Sequence, residues 1–362
     1  MVARPSGPRR RRQKAGHRMK AWTMVGAVSG GRRNNFNLIR MVAASGVLVS
    51  HAYPISLGPQ AVQPFERWLG GITLGTVCVI VFFALSGFFI TKSFDQGRDW
   101  RRFLRARAYR LFPALIGVLC LTVLVAGLVL TRADAGDFWR AAPVYVLRHL
   151  TLVDPVYSLP GTFADNPYGP PINGSLWTLF YEVLCYGGVF AAGLAGQLRR
   201  GPLAFAVLVA LATLSVTDEV VTLPGRISNI ADLAWPFALG GAIYLWRDRI
   251  PLSPLIVAAL AALAGLAQGT AAFPMAFTLA LSYGAFWIGF ARWHPLLGYN
   301  RLGDYSYGTY IFAFPIQQIL AASGIIDPYV NMALALPATY ACAVLSWHLI
   351  EAPALARVKH HA

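Results

Sequence analysis

The sequence predicts an all-α, polytopic membrane protein with about ten transmembrane helices and both termini in the cytoplasm. Of its 362 residues, 56% are hydrophobic and only 13% are charged, and the mean hydropathy is +0.53. A soluble domain of this length needs a more charged surface. Apolar stretches close to the roughly 20 residues that span a bilayer also recur along the whole chain.

The apolar stretches follow one another without a visible internal repeat of about 20–50 residues. Two of them are short and rich in alanine, so their ends are the least well defined. We expect a membrane domain over residues 34–355 and a short cytoplasmic tail over residues 356–362. The ten expected spans cover residues 36–56, 72–91, 111–130, 175–196, 202–217, 230–247, 253–269, 271–291, 304–323 and 329–350.

The net charge of +16 is unevenly distributed along the chain. If the N-terminal segment is cytoplasmic and ten helices follow, 25 of the 31 Lys and Arg residues lie in cytoplasmic segments and five in outer segments, while Arg40 lies inside the first helix. This asymmetry is what the positive-inside rule predicts for a membrane protein. The charge therefore favours a membrane protein over one that binds nucleic acid.

The N-terminal segment is basic but lacks the short apolar core and cleavage site of a signal peptide before Arg33. We expect residues 1–33 to form a disordered cytoplasmic tail that touches anionic lipid. A nucleic-acid-binding arm is the less favoured alternative. Met19 and Met24 are alternative starting residues.

The first expected helix carries two ionisable residues, Arg40 and His51, which are eleven residues apart. Eleven residues are about three turns of α-helix and about 16 Å of rise, so both side chains lie on nearly the same face. An arginine near a helix end can be a membrane anchor, and a membrane histidine can be a packing hydrogen bonder. Their alignment favours a shared, protein-lined cavity.

An arginine-rich run precedes Pro113. Spacings of three and four residues place several guanidinium groups on one helix face, and guanidinium can bind phosphate through two parallel hydrogen bonds. The alternative is that a basic cytoplasmic loop only sets topology. Both interpretations stay open for the candidate phosphate ligands, which are Arg101, Arg102, Arg105, Arg107 and Arg110.

The longest outer segment covers residues 131–174. Six prolines between Pro143 and Pro171 predict that no continuous helix forms there, and a loop of this length is often functional. His149 and Asp154 either line the outer mouth of a site or are simply solvated.

Glu182 lies about two turns into the fourth expected helix, where a carboxylate needs a partner. It is either a site residue or half of a structural pair with Arg or His. Ser86 favours helix packing over function. Asp304 suits a helix N-terminus, and Glu351 suits an anchor at the inner membrane face.

The four cysteines all lie inside apolar stretches, and none forms a CxxC motif. They are most simply buried small hydrophobic residues, so we expect no disulfide and no metal site. They are Cys78, Cys120, Cys185 and Cys342.

Six short motifs occur in a fixed order. They are Arg40-x10-His51, "FFALSGF" at 82–88, Arg107-x-x-Arg110-x-x-Pro113, "NGSLWTLFYE" at 173–182, "LGDYSYGTY" at 302–310 and "LIEAP" at 349–353. In this order and spacing the chain resembles the membrane acyltransferase family 3, which includes bacterial O-acetyltransferases of lipopolysaccharide, Nod factors, exopolysaccharide and peptidoglycan. The resemblance covers about residues 34–355.

Two features depart from the family pattern. Position 314 is Phe where many members have His or Trp, so we assign this position no role. The chain also stops after the tenth expected helix, whereas members that acylate peptidoglycan often carry a fused extracytoplasmic domain. Transfer would then be completed by this chain alone or with a separate glycan-synthesis partner.

The resemblance implies an O-acyltransferase, most simply an O-acetyltransferase, in the inner membrane of a bacterium. Acetyl-CoA or another acyl-CoA would be the cytoplasmic donor substrate, with no permanently bound cofactor. The acceptor would be a hydroxyl of a glycan or glycolipid on the extracytoplasmic side.

The resemblance also implies residue roles. The CoA phosphates would bind the arginines at 101–110, and Arg40 would hold or polarise the ligand. His51 would act as general base or carry the acyl group, and Glu182 would orient the imidazole.

Two other classes of protein fit the composition. A non-catalytic exporter of sugars or lipid-linked glycans would also need many helices and buried charges, although such folds usually show internal repeats. A structural or biogenesis membrane protein is the other alternative. Acyl-CoA hydrolysis or transfer by the purified protein separates both from an enzyme.

Overall fold

The computed structural model describes residues 23–26, 34–97, 99–198, 201–291 and 294–360. Its helices are α1 (Phe36–Leu57), α2 (Leu74–Gly97), α3 (Trp100–Val125), α4 (Ala135–Thr151), α5 (Trp177–Leu194), α6 (Gly201–Val220), α7 (Gly225–Leu245), α8 (Pro254–Ala267), α9 (Phe273–Phe290), α10 (Ser306–Ala322), α11 (Pro328–Ser346) and α12 (Ala352–His360). Two π-helical turns, Ala126–Leu130 and Trp347–Glu351, extend α3 and α11. Shorter helical turns are Gly174–Leu176, His294–Leu297 and Gly298–Arg301.

Each expected apolar stretch forms a helix, but they differ in their capacity to cross a membrane. Within the described residues, seven helical segments are long and apolar enough to do so. Of the remaining three, α8 has 14 residues and α10 has 17, and α7 is long but less uniformly apolar. The structure therefore supports a membrane protein with seven such helices, and the number of ten stays a prediction.

Helices α2 and α7 make the closest crossing in the bundle. A Cβ added to Gly87 would overlap the carbonyl oxygen of Phe237, and one added to Gly240 would overlap that of Ala84. Glycine on both helices therefore lets the two backbones touch, as small residues do between membrane helices. This contact explains Gly87 by helix packing.

Proline interrupts α10 at Pro315, whose ring nitrogen cannot donate to the carbonyl of Ile311. The side chain of Asn173 supplies the missing donor, because its Nδ2 lies 2.8 Å from the Ile311 oxygen. The "NGS" motif thus satisfies a carbonyl that the helix itself leaves free, and it fixes the start of α5 against α10.

The two ends of the bundle differ in character. We call the end where α1 and α3 begin the arginine end, and the end that carries residues 58–73 and 131–173 the loop end. The prediction that no continuous helix spans Pro143 to Pro171 is confirmed, because α4 ends at Thr151, although α4 itself runs through Pro143. Pro143 lacks one backbone hydrogen bond there, but α4 buries Phe138, Ala142 and Tyr145 against the core, which offsets that loss.

The chain termini are only partly described. Thr23–Met24 pairs antiparallel with Pro251–Leu252, while residues 1–22 and 27–33 of the expected tail lie outside the described residues. At the other terminus, α12 continues to His360. All four cysteines are free, and the expectation that they are buried holds for Cys78 but is wrong for the exposed Cys120.

Candidate active site

A cavity of about 450 Å³ lies inside the bundle toward the arginine end. Helices α2, α3, α5 and α10 form most of its wall, and α1 contributes Arg40. This volume lies within the range of small-molecule sites. Its lining is aromatic and aliphatic except for a group of polar residues, which are Arg40, Ser86, Arg107, Arg110, Thr178, Glu182, Tyr186, Ser306, Tyr307 and Tyr310.

Arg110 is the most heavily paired of the cavity arginines. Its Nη2 lies 2.7 Å from Oδ2 of Asp304, and its Nη1 lies 3.1 Å from Oε2 of Glu351. The Glu351 side chain is only 2% exposed, and its other oxygen accepts a hydrogen bond from Ser346. The two carboxylates already occupy Arg110, so its predicted role as a phosphate ligand competes with two ion pairs.

Asp304 joins the first helix to this network. Nη1 of Arg40 lies 3.7 Å from the same Asp304 oxygen that Arg110 contacts, and the Arg40 guanidinium lies 5.1 Å from the centre of the Phe89 ring. Burial acts to raise the pKa of Asp304, but the charges of Arg110 and Arg40 outweigh it and hold that pKa below its usual value. Asp304 is therefore an ionised bridge between two arginines.

Arg107 lines the same cavity without such a partner. Its Nε is buried and makes no hydrogen bond, and among the described residues no carboxylate oxygen lies within 4 Å of its guanidinium. Buried cationic groups are normally paired. Arg107 therefore has no direct ion pair among the described residues of the cavity, although the negative charge of Glu182 on the same cavity wall also acts on it.

The predicted arginine cluster is divided in two. Arg101, Arg102 and Arg105 are exposed on the first turns of α3, where Asp99 caps the helix by accepting hydrogen bonds from the Arg101 and Arg102 amides. Arg107 and Arg110 instead line the cavity. The sequence spacing predicted one shared face, but these five residues cover nearly three turns, so only the last two reach the interior.

Glu182 lies in the cavity, but the structure does not place it beside His51. Its Oε1 accepts a hydrogen bond from Ser86 Oγ at 3.1 Å and a short one from the Tyr186 hydroxyl. The expectation that Glu182 orients the His51 ring is therefore wrong in this structure. Glu182 is on α5, whereas α1, which carries His51, packs against α10 and α11. Helix packing decides these neighbours, so they could not be inferred from the sequence.

His51 lies beyond the cavity, nearer the loop end. Its ring meets the edge of Phe314, with ring centres 5.4 Å apart, and its Nδ1 is buried with no partner among the residues that the structure describes. On α10 the cavity ends at Tyr310, and Phe314 follows one turn later, about 6 Å along the helix axis. His51 is thus separated from the cavity by one layer of side chains.

Tyr310 forms that layer with the start of α5. Its hydroxyl donates to the Ser175 carbonyl oxygen at 2.7 Å and shares a hydrogen bond of 2.7 Å with the Thr178 hydroxyl. Tyr310 and Thr178 both line the cavity, so these contacts lie at its end toward His51.

The two loop candidates do not join the site. His149 is 2% exposed, its Nδ1 bonds the carbonyl oxygen of Tyr145 at 2.9 Å, and burial lowers its pKa. Asp154 pairs with Arg148 at the surface. Both therefore belong to the packing of α4 and the following loop.

Sequence reasoning missed the roles of two cavity residues, Ser86 and Tyr186, and of two carboxylates that pair with the cavity arginines, Asp304 and Glu351. The signal was available for the two carboxylates, because each lies at the end of an apolar stretch, where a buried carboxylate requires a cationic partner. The partner itself was not visible, since Arg110 is 194 residues from Asp304 and 241 from Glu351 in the chain. Ser86 and Tyr186 carry no such signal.

Comparison with known proteins agrees with the motifs. The profile described as an acyltransferase domain matches residues 33–348. The chain is 29% identical to an O-acetyl transferase of Shigella phage Sf6, over 90% of this chain and 97% of that protein. It is also 29% identical to Nodulation protein 10 of Rhizobium leguminosarum bv. viciae, over 90% of this chain and 94% of that protein.

No solved structure matches the chain. The family assignment rests on the match to 33–348, which includes Arg40, His51, Arg107 and Arg110 and most of the helical bundle. With motifs, cavity and profile in agreement, the chain belongs to the membrane acyltransferase family 3.

Proposed function

We propose that this protein transfers an acyl group, most simply acetyl, from cytoplasmic acyl-CoA to a hydroxyl of a glycan or glycolipid on the other side of a bacterial inner membrane. The observation that carries the donor assignment is Arg107, a partly buried cation without a direct ion pair, whose buried Nε has no hydrogen-bond partner within the described part of the chain, in a cavity of ligand size. A phosphate oxygen would supply the missing negative charge and hydrogen-bond acceptors. The exposed Arg101, Arg102 and Arg105 extend the same positive field to the protein surface.

The cavity suits an arm with amide and hydroxyl groups. Its polar lining offers Ser86, Thr178 and Tyr186 hydroxyls and the Glu182 carboxylate, set among aromatic side chains. A pantetheine chain carries amide N–H groups, which can donate hydrogen bonds to the Glu182 carboxylate and to the hydroxyl oxygens. The Ser86 and Tyr186 hydroxyls donate to Glu182 in this structure, so they would have to turn before they could donate to a pantetheine carbonyl. The arm would lead the thioester from Arg107 toward Tyr310 and the layer beyond it.

In the transfer step, His51 acts as the general base. Its imidazole takes the proton from the acceptor hydroxyl while the hydroxyl oxygen bonds to the thioester carbon. The carbon–sulfur bond then breaks, and the imidazolium returns the proton to the CoA thiolate. The Tyr310–Thr178 contact would have to open for the thioester to reach His51, because the two hydroxyls are hydrogen-bonded at the end of the cavity toward His51.

Binding and turnover by the purified protein test this proposal. We expect Arg107→Gln to weaken acetyl-CoA binding at least tenfold, since a charge-assisted phosphate contact of about 1.5–3 kcal/mol is lost, while the protein stays folded. Arg132→Gln is the matched control, because Arg132 pairs with Asp165 on the surface of the loop end. Equal acetyl-CoA affinity of Arg107→Gln and the parent would refute the donor assignment, and a parent protein that neither hydrolyses nor transfers acetyl-CoA would favour the exporter.

Orientation is part of the proposal. With the arginine end in the cytoplasm, Ala164 lies outside and Ala356 inside, and both are exposed. Single cysteines at these positions, in a chain whose native cysteines are replaced by serine, should react with an impermeant thiol reagent from opposite sides of the membrane. Reaction of both from the same side would refute this topology.

A further inference from the structure

The irregular segment after α4 folds back over the ends of the two helices that carry His51 and Phe314. On the α1 side, a Cβ on Gly58 would lie 3.6 Å from the carbonyl oxygen of Pro167. On the α10 side, the same segment meets Gln318. Residues 166–171, which we call the crossing segment, therefore span from the end of α1 to α10 at the loop end.

A single buried amide fastens the crossing segment to α10. Gln318 is fully buried, and its Nε2 donates to the carbonyl oxygens of Gly169 and Pro171 at 3.1 and 2.7 Å. Its Oε1 accepts from Nδ2 of Asn166 at 2.8 Å, and that Nδ2 also reaches the Gln318 carbonyl oxygen at 2.9 Å. The amide of Gln318 thus uses its donor nitrogen on two backbone carbonyl oxygens and its acceptor oxygen on one side-chain amide, all within the crossing segment.

Tyr168 lies between the fastened residues and points at the site. Its ring centre is 5.4 Å from that of Phe314, which in turn is 5.4 Å from that of His51. Phe314 is buried, whereas Tyr168 is only partly so. The three rings form a continuous path of contact from the loop end to the imidazole.

Tyrosine offers a flat apolar face and a polar tip in one side chain. A sugar ring presents C–H groups on its faces and hydroxyls at its edge, so it matches both parts. We propose that the crossing segment is the acceptor side of the site, that Tyr168 contacts the acceptor sugar next to His51, and that Gln318 is a positioning residue. This inference rests on the proposed acyltransferase function for its choice of ligand.

If the crossing segment covers position 51 at the loop end, loosening that segment should let a thiol reagent reach position 51 faster. The test uses His51→Cys in the full-length protein with the native cysteines replaced by serine, and an impermeant thiol reagent added from the loop side. Gln318→Ala and Tyr168→Ala should each raise the labelling rate at position 51 by about tenfold, because the crossing segment opens locally. An unchanged rate in both variants would overturn the placement.

Gln268→Ala is the matched control for this measurement. Gln268 also ties a loop to the bundle through a side-chain amide, since its Nε2 lies 2.7 Å from the Trp68 carbonyl oxygen, but this hydrogen bond does not involve the crossing segment. The labelling rate at position 51 should not change in this variant. An increase as large as that in Gln318→Ala would mean general loosening of the loop end and would also overturn the placement.

Sugar protection tests the ligand class. Chitotetraose and maltotetraose are the probes, and at least one at millimolar concentration should slow labelling at position 51 when Tyr168 is present and fail to do so in Tyr168→Ala. Protection by neither probe, or equal protection in both proteins, would overturn the assignment of Tyr168 to a sugar.

Acetyl-CoA binding separates this inference from the proposed function. Tyr168→Ala and Gln318→Ala should bind acetyl-CoA within about twofold of the parent, because both lie beyond the Tyr310 layer. A loss as large as in Arg107→Gln would place Tyr168 on the donor side and refute the inference. A parent that does not bind acetyl-CoA would refute the donor assignment while leaving the access result intact.

Discussion

The two ends of this bundle are held together by different chemistry. At the arginine end, Arg40, Arg110, Asp304 and Glu351 form one network of opposite charges. At the loop end, the ion pairs such as Arg132–Asp165 lie at the surface, and the buried contacts of the crossing segment are made by neutral amides, led by Gln318. Opposite charges attract each other strongly and over a long range but have to be balanced, whereas amides orient their partners without adding a net charge. This contrast suits the anionic donor that we propose for the arginine end and the neutral sugar that we propose for the loop end.

The largest expected effect is the loss of acyl transfer when His51, which lies beyond the cavity, is replaced. His51→Gln should lower acyl transfer by about 10²–10⁴-fold, because glutamine keeps a hydrogen bond but cannot accept a proton near neutral pH. Acetyl-CoA affinity should stay close to that of the parent, since His51 is not part of the cavity lining. The measurement is activity per amount of folded protein, and near-parent specific activity would remove His51 from the mechanism.

The next effect concerns stability at the arginine end. Arg110→Leu leaves Asp304 and Glu351 without their shared cation, and breaking such a buried pair costs about 3–5 kcal/mol. We expect a large drop in the thermal unfolding midpoint in detergent. Arg132→Leu should leave the midpoint almost unchanged, because both members of that pair are about 80% exposed. Similar midpoints for the two variants would break the contrast between paired interior charges and surface ones.

A smaller effect is expected for the amide that supports α10. Asn173→Ala leaves the Ile311 carbonyl unsatisfied next to Pro315, at a cost of about 1–3 kcal/mol. Asn173→Asp keeps the acceptor for the Ser175 amide but loses the donor, so it should be destabilised to a similar extent. Full stability of the aspartate variant would show that the donor to Ile311 contributes little.

The smallest expected effect is a difference between the two ends in how their stability changes at low pH. Burial lowers the pKa of His149, so stability near the loop end should begin to fall as pH drops below about 6.5, where the unfolded histidine binds a proton and the folded one does not. The pKa of Asp304 is also lowered, but its stabilisation is lost only as pH falls below about 3.8.

Hydrogen exchange between pH 7 and 5 measures this difference. Protection of residues 135–151 should decrease in the parent and not in His149→Asn, which removes the titrating group. Residues 304–310 should keep their protection in both proteins over this range. Equal loss at both ends would contradict the assignment of the low-pH sensitivity to His149.

Periodicity and hydropathy were sufficient to predict the helices, because an apolar stretch of membrane length has few other ways to satisfy its backbone. The shared face of Arg40 and His51 follows from their spacing, yet the structure divides them between a cavity and the layer beyond it. What the sequence does not contain is which distant residues meet. Asp304 bridges two arginines, and Glu182 meets Ser86 instead of His51, because helix packing decides both.

The crossing of α2 and α7 has a consequence for genetic screens. Gly87 and Ser86 are adjacent in one motif, and loss-of-function selection would score both as intolerant. A side chain at Gly87 pushes two helix backbones apart, so its alleles should disappear from the membrane. Ser86 donates a hydrogen bond to Glu182 in the cavity. Variants at Ser86 should therefore reach a normal protein level in the membrane but show no activity in the assay. A library sorted first by protein abundance and only then by activity would therefore separate two neighbouring positions that a single readout merges.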